Sequence, residues 1–598
     1  METLAPATAA HQPPSNYARF MQADFNHPNY YPIAQQLDPA LYHPIASWFG
    51  RLILPQPEQR ETVMGALFEV YHTDEQHRHL MGKIVRLRWT NDRETNKRFW
   101  SVTRQVIFDK TAQQLLANGK ILPERINNWP LVNPFESLAG ALPADTMMVR
   151  LNGHVQVDEA ADGGPPIIST SREPVQINSR FYGLVRFLGP VNVGGERFHV
   201  AHYNRATGLF DGPEEMVRLP QIMARTDGIR PSTSADIERS PANEEGWYIY
   251  GAQDHAGTFV VQALAPRSLL RLDTQQVIVG REAAKRYLKP KAWQRTAVKG
   301  AFSTALLAPD GSDPQAAVAA WREGDAVLVV HLWGGIGGDK GEKESRSPVN
   351  WGHFAFGIAQ VIREPLADEL VFDIDYQQVY VHGGDGIVSG AQHWSRYTGD
   401  RQFGWLGIRP VQDVLIKLDC FTDDFGVSKR SALMQMSYEL ESMTARYRIA
   451  DGRGGTSISA ANNCAQDSNQ ALYAAIRNID YTVRQRADVH AWAAQHPDDA
   501  QRLQRLLALG QDLRREILPL GAARADWDWG VTTLGSSLAE SPLRSLGMAI
   551  RTWRTMLPSL AVRCIAEVFL KHGALAWVLR TNQVGGYDPS IAPYIPNV

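Results

Sequence analysis

WGHFAFGIAQVI, residues 351–362, decides how the second half of the chain is read. Successive residues of a strand point to opposite faces. One face then carries His353, Ala355, Gly357 and Ala359, and the other Phe354, Phe356 and Ile358. The second set is an ordinary apolar core face. The first is an imidazole at the head of a row of very small side chains, and such a row lets a helix lie close against the sheet. The next alternating segment is QQVYVHG, and the polar connection EPLADEL between the two predicts an antiparallel hairpin. AVLVVHLWG (326–334) is a further strand upstream. VQDVLIKLD (411–419) is another, or the end of one.

NNCAQDSNQALYAAI, residues 462–476, supplies the partner. Asn462 or Asn463 is a good helix N-cap, which places Cys464 in the first turn. At helical spacing Cys464, Ser468, Ala471, Leu472 and Ala475 share a narrow face. The expectation is that this face packs on the Ala355–Gly357–Ala359 row and brings Cys464 to His353. A first-turn cysteine suits thiolate chemistry, because unpaired N–H groups and the helix dipole favour the anion. The same N–H groups can hold an oxyanion. The thiolate would attack a carbonyl, the histidine would protonate the leaving group, and water would release the acyl group.

A third group should orient the imidazole. QQVYVHG offers His382 or Tyr380 on one face, with Asp385 just beyond. His382 is favoured because an adjacent strand can set it beside His353; Asp375 is the weaker option. Asn463 and Gln466 are candidate polar partners for the oxyanion. Cys420, in LIKLDCF, and Cys564, in AVRCIAEVF, read as small core residues.

The rest of the chain fits around this pair as an α+β, multidomain protein. Its 598 residues suggest roughly three or four domains. The expected units are an N-terminal extension (1–45), a small β-rich domain (46–170), a second β-rich domain (171–280), a helical connector (281–325), a catalytic domain (326–480) and a helical C-terminal region (481–598). The two β-rich domains read as small barrel-like modules. In the last third, helices are expected at 428–449, 464–479, about 497–516 and 542–579. A net charge of −2 supplies no general basic field for nucleic acid or an anionic membrane. The opening METLAPATAAHQPPS reads as a flexible leader rather than a secretory signal. No uncharged apolar stretch reaches about 18 residues, so no membrane span is expected. Three cysteines in so long a chain suit a reducing cytoplasm.

Other signals point to no chemistry. GGIGGDKGEK (334–343) lacks the spacing of a phosphate-binding loop and reads as a mobile loop beside a site. His72, Glu75, His77 and His79 fall in a polar turn, where solvated turn chemistry is the plain reading. Neither a metal nor a cofactor is expected.

The order of a strand histidine, a polar residue on the following strand and a cysteine at a later helix start resembles the circularly permuted papain-like superfamily, which includes the lecithin retinol acyltransferase-like enzymes. The elements that carry the resemblance are GHFAFGIAQVI, QQVYVHG and NNCAQDSNQAL, and it spans about residues 326–480. It implies thiol peptidase, amidase or acyltransferase chemistry, with a long insertion between the second strand and the helix. A second resemblance rests on WGHFAFGIAQVI, VYVHGGDGIVSGAQHWSRYTGD, ANNCAQDSNQALYAAI and AWVLRTNQVGGYDP. These look like a family of large cyanobacterial and proteobacterial proteins labelled predicted Abi/CAAX-type proteases. That label implies paired glutamates, an arginine three residues on, and metal-holding histidines on membrane helices. The nearest string here is Glu214-Glu215-Met216-Val217-Arg218, in a β-rich block. The expected function is a cysteine peptidase or amidase acting on a peptide or amide substrate, with a possible protein partner on the N-terminal β modules. The alternatives are a non-enzymatic scaffold with an inactive papain-like core, or a metal-dependent protease.

Overall fold

The computed structural model describes residues 30–53, 66–93, 95–96, 107–108, 147–161, 163–224, 232–341, 350, 352–381, 388–402, 409–425, 430–450, 464–517, 533–534, 557–583 and 588–597. These form a mixed α+β structure with large sheets and a helical layer.

Ala326–Trp333 is buried along almost its whole length, as a strand covered on both faces should be. It is antiparallel to His353–Glu364 on one side and to Pro410–Lys417 on the other. A four-residue turn leads from His353–Glu364 into Glu369–Val381, with Asp368 in the left-handed region at φ 57°. The two strands form the hairpin that their alternation requires, with Phe356 opposite Gln377 and Gly357 opposite Tyr376.

The sheet continues well beyond this hairpin and counts fifteen strands. Phe302–Ala308 and Leu575–Asn582 lie on one side of it. On the other, Val388–His393 leads through short strands at Val175–Gln176 and Met147–Arg150 to Phe49–Ile53 and Ala66–His72. One ladder of pairings therefore links the segments expected at 46–170 and 326–480. Buried Arg150, from the first of them, ties it to the second through Asp375 at 2.7 Å and Asp373 at 3.0 Å. Burial alone would lower the Arg150 pKa; the two carboxylates overcome it and hold the guanidinium above its ordinary value.

A second sheet closes on itself. Phe181–Pro190 pairs with Arg197–His202 and, at its other edge, with Trp247–Gln253. Glu214–Arg218 and Phe259–Pro266 complete the ring.

Three expectations are corrected. The connector 281–325 is not wholly helical, because Phe302–Ala308 is a strand between short helices at Pro290–Thr296 and Pro314–Ala319. The region 481–598 is not wholly helical either. After the helix Pro558–Lys571, Leu575–Asn582 enters the sheet between Phe302–Ala308 and Pro410–Lys417. Both strands are short runs buried on both faces, and periodicity does not distinguish such a run from a buried helix segment. Finally, the glycine-rich stretch is paired where it is described: Gly335–Gly337 is antiparallel to Ala592–Tyr594.

The central sheet has two different faces. Leu328, Val330, Phe354, Phe356, Val414 and Ile416 pack on a helical layer. That layer is made by Ala432–Ala450, Cys464–Gln485, Pro497–Ile517 and Pro558–Lys571. Val327, Val329, Ala359, Tyr376 and Leu415 pack instead on the closed sheet, against Tyr248, Leu264 and Trp394. None of the helices among the described residues is long and apolar enough to cross a membrane.

Candidate functional site

His353 and Cys464 reach the site from different sides of the sheet. Ala465, Ala471, Leu472 and Ala475 pack with Phe354 and Phe356, so the cysteine helix covers the aromatic face. The small row faces the other way, and the proposed packing of small row on small row does not occur. Aromatic rings from neighbouring strands take that space instead: Tyr376 stands opposite Gly357, where a Cβ would come within 2.5 Å of the Asp375 carbonyl oxygen.

His353 is 7% exposed. Its Nε2 lies 2.9 Å from Oε1 of Gln378, to which it donates, and its ring tilts against Trp333 with centroids 5.1 Å apart. The other ring nitrogen is then the basic one. Burial pushes the imidazole pKa down to about 3; the bond to Gln378 opposes this, while His331 and Arg409 add to it. The ring is neutral at pH 7, and so low a value makes it a weak base until a neighbouring anion stabilises its charged form.

Gln378 joins the histidine to the cysteine side. It also lies beside the Tyr397 hydroxyl, which accepts a hydrogen bond from Trp333 Nε1 at 2.9 Å. Burial holds the Tyr397 pKa well above its ordinary value. Asp413 and Cys464 raise it further, since a thiolate at Cys464 lies close enough to oppose a phenolate. Cys464 is the first described residue of the helix Cys464–Gln485 and is half-buried. The other two cysteines do not resemble it. Cys420 is buried, which pushes its thiol up to about 11, and Cys564 lies in the middle of Pro558–Lys571.

Behind the site lies a buried cluster that the sequence reading missed. Nδ1 of His331 is 2.5 Å from Asp413 Oδ1, and the Tyr376 hydroxyl donates to Oδ2 of the same carboxylate at 2.7 Å. His331 and Asp413 are direct cross-strand partners, so the pairing follows from register. Nε2 of His331 is buried without a hydrogen-bond partner among the described residues.

A second group imitates a nucleophile triad. Ser395 Oγ is 2.9 Å from His393 Nδ1, and His393 Nε2 is 3.0 Å from Asp373 Oδ1. Nδ1 also accepts the Ser395 backbone N–H, as the N-cap of the short helix Trp394–Tyr397. Nε2 therefore carries the proton and donates it to Asp373. With Ser395 wholly buried, this arrangement is a cap and a tether.

Of the other expected site residues, His382, Asp385 and Asn463 lie outside the described residues, as do the side chains of Tyr380 and Gln466. Asp375 is occupied elsewhere, by Arg150 and Asn152. The residue that does hold His353, Gln378, was legible in principle. It precedes Tyr380 by two positions and His382 by four, so plain alternation in the sequence assigns all three to one face. The polar string around Glu214–Arg218 is structural: Glu215 accepts from Tyr42 at 2.7 Å and bonds His202 at 2.9 Å.

No family model matches this chain, and neither a curated protein nor a solved structure does.

Proposed function

We propose that the chain is a cysteine-dependent hydrolase of peptide or amide bonds, with a papain-like arrangement in residues 326–480. One observation carries the reading: Cys464, the first described residue of a long helix, lies close to Tyr397, and Gln378 lies beside both Tyr397 and His353. Cys464 is the nucleophile, His353 the base and acid, and Gln378 the orienting group, in the role first expected of His382. The neutral imidazole takes the thiol proton as sulfur attacks the carbonyl carbon. The carbonyl π electrons move to oxygen, and first-turn N–H groups can hold that charge. Collapse of the intermediate breaks the C–N bond, His353 returns the proton to the amine, and water releases the thioester as acid. Burial makes the imidazolium costly, so the thiolate has to remain close to it through each proton transfer.

A non-catalytic scaffold is the second reading, favoured by the depth of His353 and Tyr397. Iodoacetamide labelling followed by peptide mapping separates the two. A catalytic Cys464 alkylates rapidly near neutral pH, and the chain cleaves an activated acyl ester in a Cys464-dependent manner. Slow labelling of Cys464, no faster than Cys420, would rule out the enzyme.

A further inference from the structure

The helix that begins at Cys464 carries a second feature about two turns further on. Between Cys464–Gln485 and Pro497–Ile517 lies a cleft of about 270 Å³. The helices touch closely at one point, where a Cβ on Gly510 would come within 2.3 Å of Ile476 Cγ2. The cleft opens beside that contact, so it is a shaped space rather than a loose seam. Three guanidinium groups line it, Arg477, Arg484 and Arg514, against the single carboxylate of Asp480. Asp480 is engaged by Arg484 at 2.8 Å. Arg514 has no ion pair among the described residues.

A row of surface arginines would by itself mean little. The second observation is Asn469, which also lines the cleft and is 1% exposed. Its Nδ2 donates to the Ala465 carbonyl at 2.7 Å, which fixes the amide, and its Oδ1 is buried with no partner among the described residues. An orphaned buried acceptor costs about 1–3 kcal/mol and calls for a donor. The arginines call for anionic oxygens in a planar fork. Leu472 and Leu507 add an apolar wall.

We infer that this cleft binds a small carboxylate bearing an adjacent N–H, the chemistry of the C-terminal residue of a peptide or of an N-acyl amino acid. The carboxylate meets Arg514 and its neighbours, the N–H donates to Asn469 Oδ1, and an aliphatic side chain lies on the leucines. The volume suits one residue. The assignment does not rest on the thiol chemistry, and binding is expected to be the same in a Cys464→Ala chain.

Calorimetric titration of the full chain tests it, with N-acetyl-leucine, N-acetyl-leucinamide and inorganic phosphate as probes. N-acetyl-leucine is expected to bind one per chain, and the amide about tenfold or more weaker, since it loses the charge-assisted bonds. Phosphate should bind more weakly than N-acetyl-leucine. The exposed Arg514→Gln, which cannot disturb a core, should weaken N-acetyl-leucine by about tenfold. Absence of binding, equal binding of acid and amide, or indifference to Arg514→Gln would overturn the site. Phosphate binding more tightly than N-acetyl-leucine would overturn the ligand class.

Discussion

The two faces of the central sheet are built from the same strands and do different work. Toward the helices stand Leu328, Val330, Phe354, Phe356, Val414 and Ile416, an apolar face of ordinary composition. Toward the closed sheet the alternate residues of the same strands include His331, His353, Asp413, Tyr376 and Gln378. A single residue step separates one set from the other. The comparison shows why polar chemistry can be buried here without loss of the fold. The helix face supplies the hydrophobic burial, and the opposite face can carry bonded polar groups. Cys464 belongs to the helix side and His353 to the other, so the proposed pair would have to meet around the strand ends, past Tyr397 and Gln378.

Four measurements would sharpen or break this contrast. The largest effect is expected for Cys464→Ala, which should lower cleavage of an activated ester by about 10⁴-fold while leaving the melting temperature near that of the parent. A variant that retains its activity would remove the site from the helix terminus. Next is Asp413→Ala, which strands His331 Nδ1 and the Tyr376 hydroxyl in the interior. Denaturant unfolding should show a loss of about 3–5 kcal/mol; a loss below 1 kcal/mol would mean the polar face is wetter than its burial indicates. Gln378→Leu comes third. It keeps volume but removes the acceptor of His353, and ester cleavage should fall about 10- to 100-fold. Gln378→Glu should recover part of it, because an acceptor is restored; equal loss in both variants would point to packing alone.

The last test is a slope in pH. His353 is pushed down to about 3 in the folded chain by burial, against an ordinary value of 6.5. The unfolded chain then binds more protons between these values, so stability rises with pH across that window and is lost as pH falls through it. Above about pH 6.5 the group contributes no slope. The slope from this one group is about 1.4 kcal/mol per pH unit. In His353→Asn that part of the slope should disappear between pH 4 and 6, as read by urea unfolding at fixed ionic strength. An unchanged slope would show that His353 is solvated in the folded chain.

The hairpin of His353–Glu364 with Glu369–Val381 was legible because alternation and a polar turn are local properties. The helix that contains Cys464 was legible for the same reason. Phe302–Ala308 and Leu575–Asn582 were not, since a run buried on both faces has no period to read. At the site, His353 and Cys464 could be named from residue type and spacing, but Gln378 was passed over for the more reactive-looking His382. Tyr397, which connects the two sides, lies on a four-residue helix with no signal of its own.

By itself, then, the sequence determined which segments are strands and helices where apolar residues alternate, and it nominated Cys464 and His353 as candidates for nucleophile and base. Tertiary structure decided which face of the His353 strand meets the Cys464 helix. Two faces competed for that helix, one of small residues and one of phenylalanines. The aromatic face offers more apolar area to bury against it, and the rings of Tyr376 and its neighbours had already filled the space over the small row. That choice depends on strands from the far ends of the chain, so no local pattern could contain it.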